Sequence, residues 1–219
     1  VLVASPANPT GSMLDHGALG ALLDTARAQD VAFISDEIYH GLHYGDQRGV
    51  TALELTDEAI VINSFSKYFS MTGWRVGWMV VPDSHVRTIE RLAQNLFICP
   101  NHASQIAALA AMDATDELDS NRAVYAANRT ILLTALTEAG FADIAPPDGA
   151  FYIYANIAAT GLTSRDFTDR LLREAGVAAT PGLDFDKERG GDTVRFSYAG
   201  STDAIEEGAA RIKAFMAGL

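Results

Sequence analysis

An α/β fold, a mainly parallel sheet followed by a small α+β domain, is what three features of this 219-residue sequence predict. The first is a set of short apolar runs without polar alternation, as in strands covered on both faces of a parallel sheet. The second is their spacing. Strand, helix and strand follow one another as in doubly wound sheets with right-handed crossovers. The third is a change of character at Asp83, after which helical periodicity takes over and only short strands return.

Taken in order, Val1 to Ala4 is the first apolar run. Ser5-Pro6-Ala7-Asn8-Pro9-Thr10-Gly11 is a rigid turn, because proline fixes φ and removes a backbone donor. The spacing predicts a helix from about Asp15 to Ala28, with Leu14, Ala18, Leu22 and Ala26 on one face. A second buried strand, Val31 to Ser35, leads into Asp36-Glu37-Ile38-Tyr39, with Glu37 expected to face solvent. A polar loop, His40 to Thr51, and a short Leu53 to Leu55 segment precede the third strand, Ala59 to Ser64. The fourth, Arg75 to Val81, stops at Pro82.

Helices are predicted over Ser84 to Leu96 and Ala103 to Met112. Asp119 to Ala139 reads as a long amphipathic helix with Val124, Ile131, Leu132 and Leu136 inward, closed by Gly140. Pro146-Pro147-Asp148-Gly149 marks a turn. Strands at Phe151 to Tyr154, Val177 to Thr180 and Val194 to Tyr198 alternate with helices at Ser164 to Glu174 and Thr202 to Ala217. The expected organisation is a larger domain over residues 1–118, a connecting helix over 119–140 and a small domain over 141–219.

Composition narrows the function classes. The chain is 48% hydrophobic and 20% charged, as in an ordinary globular protein. A net charge of -12 argues against nucleic acid or an anionic membrane surface as partner, since both need clustered Lys and Arg. Cys99, the one cysteine, excludes an internal disulfide and fits a reducing compartment, hence a cytoplasmic location. No apolar run approaches the roughly 18 to 20 residues that span a bilayer. The chain opens directly on Val1 and a strand, which is the beginning expected of a fragment.

In open α/β sheets ligands gather beyond the carboxyl ends of the strands, and those ends carry Asn8, Asp36 and Lys67. A lysine held just past a buried strand is costly to desolvate, and a common use for it is a Schiff base with a carbonyl group. A snorkelling surface lysine is the alternative when Lys67 is taken alone. His40 and His43 lack a third ligand, so no metal site is assigned. Trp74, Trp78, Phe151 and Tyr152 read as packing residues, with Tyr152 or Tyr154 able to line a substrate.

Five motifs in order then resemble one family: Asn8-Pro9-Thr10-Gly11, Asp36-Glu37-Ile38-Tyr39, Ser64-Phe65-Ser66-Lys67, Thr72-Gly73-Trp74-Arg75-Val76-Gly77 and Arg195-Phe196-Ser197. They resemble the class I/II aminotransferases, fold-type I enzymes that use pyridoxal 5'-phosphate. The resemblance implies the aminotransferase large domain with its mainly parallel sheet, here in part, followed by the small C-terminal domain. It implies Lys67 as the catalytic Schiff-base lysine and Asp36 as the carboxylate on the pyridine nitrogen. Asn8 and Tyr39 would bond the cofactor's phenolic oxygen. Ser64, Ser66 and Arg75 would hold its phosphate, and Arg195, with Asn8, the substrate α-carboxylate.

The implied reaction moves an amino group between an L-amino acid and a 2-oxo acid in a homodimer. A carbon-sulfur β-lyase would use nearly the same residues, and a non-catalytic truncated remnant would carry the same motifs. The family's phosphate-binding turn, its ring-stacking aromatic and a tyrosine from the partner subunit precede the Asn-Pro-Thr-Gly motif. Without them, 1–219 is expected to hold the cofactor weakly.

Overall fold

The computed structural model describes residues 1–219. They divide into two compact units, one of Val1–Ala7 with Met13–Ser120, the other of Asn8–Ser12 with Asn121–Leu219.

The first unit holds a four-stranded sheet in the order β1 (Leu2–Ala4), β2 (Ile34–Asp36), β3 (Ile60–Ser64), β4 (Gly77–Val80). β1 with β2 and β2 with β3 pair in parallel, whereas β3 and β4 pair antiparallel. The mainly parallel expectation holds. Helix α1 (His16–Ala28) makes the crossover from β1 to β2, starting where the Asp15 side chain accepts from the Ala18 N–H. Between β2 and β3 there is no α-helix, only a loop with a 3-10 turn at Ala52–Glu54, where the sequence suggested a short Leu53 to Leu55 segment.

Three details of this unit differ from expectation. The buried face of α1 is Leu19, Leu23 and Ala26. Leu22 is 41% exposed. Repeated steps of four drift about 40° each around a helix of 3.6 residues per turn, so the expected row winds off the face. The second strand begins at Ile34 rather than Val31, because Val31 is still closing the helix: its N–H reaches Ala26 O at 2.9 Å, and Asp30 sits at φ 53. That is a Schellman end with Asp in place of Gly. β1 is a sheet edge, so Leu2 is 63% exposed instead of covered on both faces.

The core under the sheet joins Leu19, Leu23 and Ala26 to Phe33, Val50, Ala52, Ala59 and Val61. A second cluster packs Phe65, Met71 and Ala108 with Phe69, Val76 and Trp78. Helices α2 (Asp83–Leu96) and α3 (His102–Ala111) follow, and the division between units falls within α4 (Thr115–Glu138). No helix is long and apolar enough to cross a membrane.

The second unit carries an antiparallel sheet in the order β5 (Tyr152–Asn156), β7 (Thr193–Ser197), β6 (Thr180–Pro181), with helices α5 (Ser164–Ala175) and α6 (Thr202–Ala217). Its core is aromatic. Phe141 meets Phe167 and Phe196 edge-on, and Phe167 meets Phe215 likewise, the T-shaped arrangement ring quadrupoles favour. Leu132 and Leu136 of α4 are buried as expected, but Val124 is exposed. Asn128 takes the inward place, its amide donating to Tyr198 O and Gly200 O at 3.2 and 2.9 Å. Those carbonyls lie past the end of β7, which stops at Ser197.

Candidate active site

In the first unit the parallel register aligns Ala4, Asp36 and Ile62, so the strands end along one edge of the sheet. Asp36 is the last residue of β2, and one carboxylate oxygen accepts from the Ile38 N–H at 3.3 Å. The other takes no hydrogen bond from the chain and is open to a ligand donor. Tyr39 follows in the turn, only 3% exposed.

Lys67 sits in the loop 65–76 that joins β3 to β4. The base of this loop is the pair Ser64↔Gly77. A Cβ on Gly77 would stand 2.6 Å from Asn63 O, so this close strand approach needs glycine. Inside the loop, Phe65 N–H donates to Val76 O, Met71 N–H to Phe65 O and Ser70 N–H to Lys67 O, at 3.0 to 3.2 Å. Phe65 anchors it from below, with its ring 4.7 Å from Phe69 and 4.9 Å from Trp78. The result is a half-buried lysine whose Nζ stands 5.5 Å over the ring of Tyr39. Ser70 and Arg75 hold left-handed backbone at φ 55 and 53, a conformation non-glycine residues adopt at a cost.

Tyr68 couples this loop to the Asp36–Tyr39 turn. Its hydroxyl donates to Asp119 at 2.7 Å, and its ring lies on Gly41, where a Cβ would come within 2.5 Å. No sequence signal marked this contact.

The phosphate candidates lie around the same loop. Ser64 Oγ accepts from the Ser66 N–H at 3.0 Å, which leaves its hydroxyl proton free to donate outward. Ser66 uses its backbone locally, the carbonyl accepting from Thr72 Oγ1 at 2.7 Å. Arg75 is exposed and its guanidinium bonds only the Thr72 carbonyl, at 2.9 Å, with no acidic partner. An unneutralised guanidinium beside free hydroxyls suits a dianion.

Glu37, expected in solvent, is buried at 2% exposure. Strand alternation puts Asp36 and Glu37 on opposite faces, and Ser35 Oγ and the Ala52 N–H, at 2.9 and 2.8 Å, supply donors that water would otherwise give. A carboxylate so occupied has no oxygen to spare for a cofactor on the Asp36 side.

The second unit assembles the other candidates. Asn8 Oδ1 accepts from Arg195 at 2.6 Å, and Thr180 Oγ1 accepts from the other terminal nitrogen at 3.2 Å. The guanidinium is sandwiched between Tyr152 and Phe185, at 4.2 and 4.7 Å from the ring centroids. Tyr152 therefore does more than pack. Arg195 has neutral acceptors and aromatic faces but no carboxylate, so its charge is set to receive an anion. Thr180 reaches Arg195 through the β6–β7 register, and Phe185 through the turn after β6, neither of which the sequence pattern displayed. Tyr154 is engaged elsewhere, accepting from Thr193 Oγ1 at 2.6 Å.

A sequence model described as Aminotransferase class I and II matches residues 1–212. The chain belongs to that family. Among curated relatives, it is 47% identical over 219 residues to valine–pyruvate aminotransferase of Mycobacterium tuberculosis, covering 99% of this chain and 56% of that protein. Among solved structures, an aminotransferase from Mycobacterium tuberculosis superposes at a TM-score of 0.97 with 46% identity, covering 100% of this chain and 57% of that one. A Silicibacter pomeroyi protein assigned as an aminotransferase superposes at 0.96 with 63% identity, covering 100% and 59%. The chain thus spans a little over half the length of the aminotransferases it matches. Members of this family use pyridoxal 5'-phosphate, and the donor set of the first unit fits its chemistry: an amine for its aldehyde, an open carboxylate oxygen for its ring nitrogen, a phenol, and hydroxyls with a free guanidinium for its phosphate.

Proposed function

We propose that this chain is the part of a pyridoxal-phosphate-dependent aminotransferase that carries its lysine, exchanging an amino group between an L-amino acid and a 2-oxo acid. The observation that carries the reading is Lys67 Nζ poised over the buried Tyr39 ring, in the same unit as the open oxygen of Asp36. Pyridoxal phosphate, when bound, supplies an electrophilic carbonyl carbon and a ring that takes up the electron pair released from a substrate Cα.

The chain's own residues do the rest. Asp36 holds a proton on the ring nitrogen. Lys67 Nζ is the amine that would hold the carbonyl carbon, and it would carry a proton to and from the substrate Cα. Tyr39 presents its hydroxyl to the phenolic oxygen, and Asn8 is assigned to the same atom. Ser64, Ser66 and Arg75 anchor the phosphate. Arg195, held flat by Tyr152 and Phe185 and steadied by Asn8 and Thr180, orients the substrate carboxylate. Residues 1–118 would act as part of the cofactor-binding domain and 141–219 as the small domain, joined by 119–140. A homodimer in the cytoplasm is the setting proposed for the whole protein. The exposed, lone Cys99 agrees with a reducing environment.

The test is a half-reaction. Protein loaded with pyridoxal phosphate is mixed with single L-amino acids, and pyridoxamine phosphate and 2-oxo acid are measured. Formation of both in equal amounts, reversed by added 2-oxo acid, is expected. Release of ammonia with no pyridoxamine phosphate would identify an eliminating lyase instead.

A further inference from the structure

Glu37 is a buried acid that the proposed chemistry leaves unused, and its contacts form a hub. Oε1 accepts from Ser35 Oγ at 2.9 Å and from the Ala52 N–H at 2.8 Å, closing both ends of the loop that follows β2. Oε2 stands 3.4 Å from His40 Nδ1. On the far side of the imidazole, Nε2 lies 3.1 Å from the Ser5 carbonyl, which can only accept, so Nε2 donates. Ser5 is at the end of β1, and its own N–H donates to Asp36 O at 3.2 Å. The backbone of Gly49 closes over the ring.

From this geometry we infer that Glu37 and His40 are positioning residues for the cofactor, a reading that rests on the function proposed above. Between Asp36 and His40 every residue is tied. Ile38 N–H goes to the Asp36 carboxylate, His40 N–H to Glu37 O, and Leu42 N–H to Tyr39 O. The side-chain pair adds the links that leave this turn: to β2 through Ser35, to the 3-10 turn through Ala52, and to β1 through Ser5. Asp36 and Tyr39 are thereby held at fixed places relative to the sheet, and a ring nitrogen and a phenolic oxygen on one rigid cofactor need both at once. A buried carboxylate with three partners is a costly way to hold a loop, and the role repays it.

The experiment compares the protein with His40→Ala, His40→Gln and Glu37→Gln. Three things are read: the pyridoxal phosphate dissociation constant, the absorption maximum of the bound cofactor, and the melting midpoint of the ligand-free protein. Loss of the imidazole's hydrogen bond to Ser5 O and of its contact with the Glu37 carboxylate predicts about tenfold weaker binding in His40→Ala, with a displaced absorption maximum. Gln restores a donor at position 40 and recovers part of both, and Glu37→Gln moves both in the same direction. The His40 side chain is 19% exposed, so its variants carry the test if Glu37→Gln does not fold. Binding in His40→Ala within about twofold of the unsubstituted protein overturns the inference. So does weakened binding that merely follows a lower melting midpoint with the absorption maximum in place. Failure of the unsubstituted protein to bind pyridoxal phosphate refutes the proposed function instead.

Discussion

Replacing Gly41 by alanine probes how the lysine loop and the Asp36–Tyr39 turn are held together. Gly41 has φ +91, and a Cβ built there meets Tyr68 Cγ, Cδ2 and Cδ1 at 2.5, 2.7 and 2.9 Å. Two costs add. Left-handed backbone costs an L-residue roughly 1–2 kcal/mol, and forcing a methyl into a packed contact costs roughly 1–3 kcal/mol. Gly41→Ala is therefore expected to lose about 2–5 kcal/mol in urea unfolding, with pyridoxal phosphate affinity falling because Tyr68 adjoins Lys67. The double variant Gly41→Ala/Tyr68→Ala separates the terms, since the ring is gone and only backbone strain remains. In that background the added cost of the Gly41 change should shrink to roughly 1–2 kcal/mol. A single variant as stable as the unsubstituted protein, or a cost unchanged when Tyr68 is removed, would refute the clamp.

Two further outcomes concern stability. Leu136 is fully buried in the second unit, so Leu136→Ala should cost about 2–5 kcal/mol in denaturant unfolding, whereas Leu172→Ala, at a residue 53% exposed, should change little. Backbone N–H groups of Arg189 and then Glu188 hold the Asp186 carboxyl below its usual range. Because the folded value is the depressed one, the stabilisation is present above the ordinary carboxylate range and is lost as pH falls through the folded value. Asp186→Asn should thus lower the melting midpoint at neutral pH, and the difference should vanish on acidification. A difference that grows toward acid would contradict the assignment.

How much of this was legible in the sequence depends on the range of the interaction concerned. Helix α6 matches its expected span, Thr202 to Ala217, because a capping Ser201 and helical periodicity are local signals. The four strands of the first sheet were legible as apolar runs, yet the start of β2 was not, since the Schellman end of α1 extends over Val31. The motifs bearing Lys67, Asp36 and Arg195 stand out as residue types at strand ends. What surrounds them does not. Glu37 was assigned to solvent because an isolated glutamate usually is, and only the return of the chain at Ala52 supplies the donor that buries it. Thr180 and Phe185 reach Arg195 across strand pairing and a turn. Asn128 reaches carbonyls some 70 positions away, and a helical wheel has no term for that.

The central claim is that Lys67 is the residue that bonds the cofactor. Incubation with pyridoxal phosphate, hydride reduction and peptide mass mapping tests it most directly. One phosphopyridoxyl group per chain is expected on the peptide containing Lys67 at saturating cofactor, absent in Lys67→Ala and weakened in Asp36→Ala. Label spread over surface lysines such as Lys187 and Lys213, with the Lys67 peptide unmodified, would contradict it.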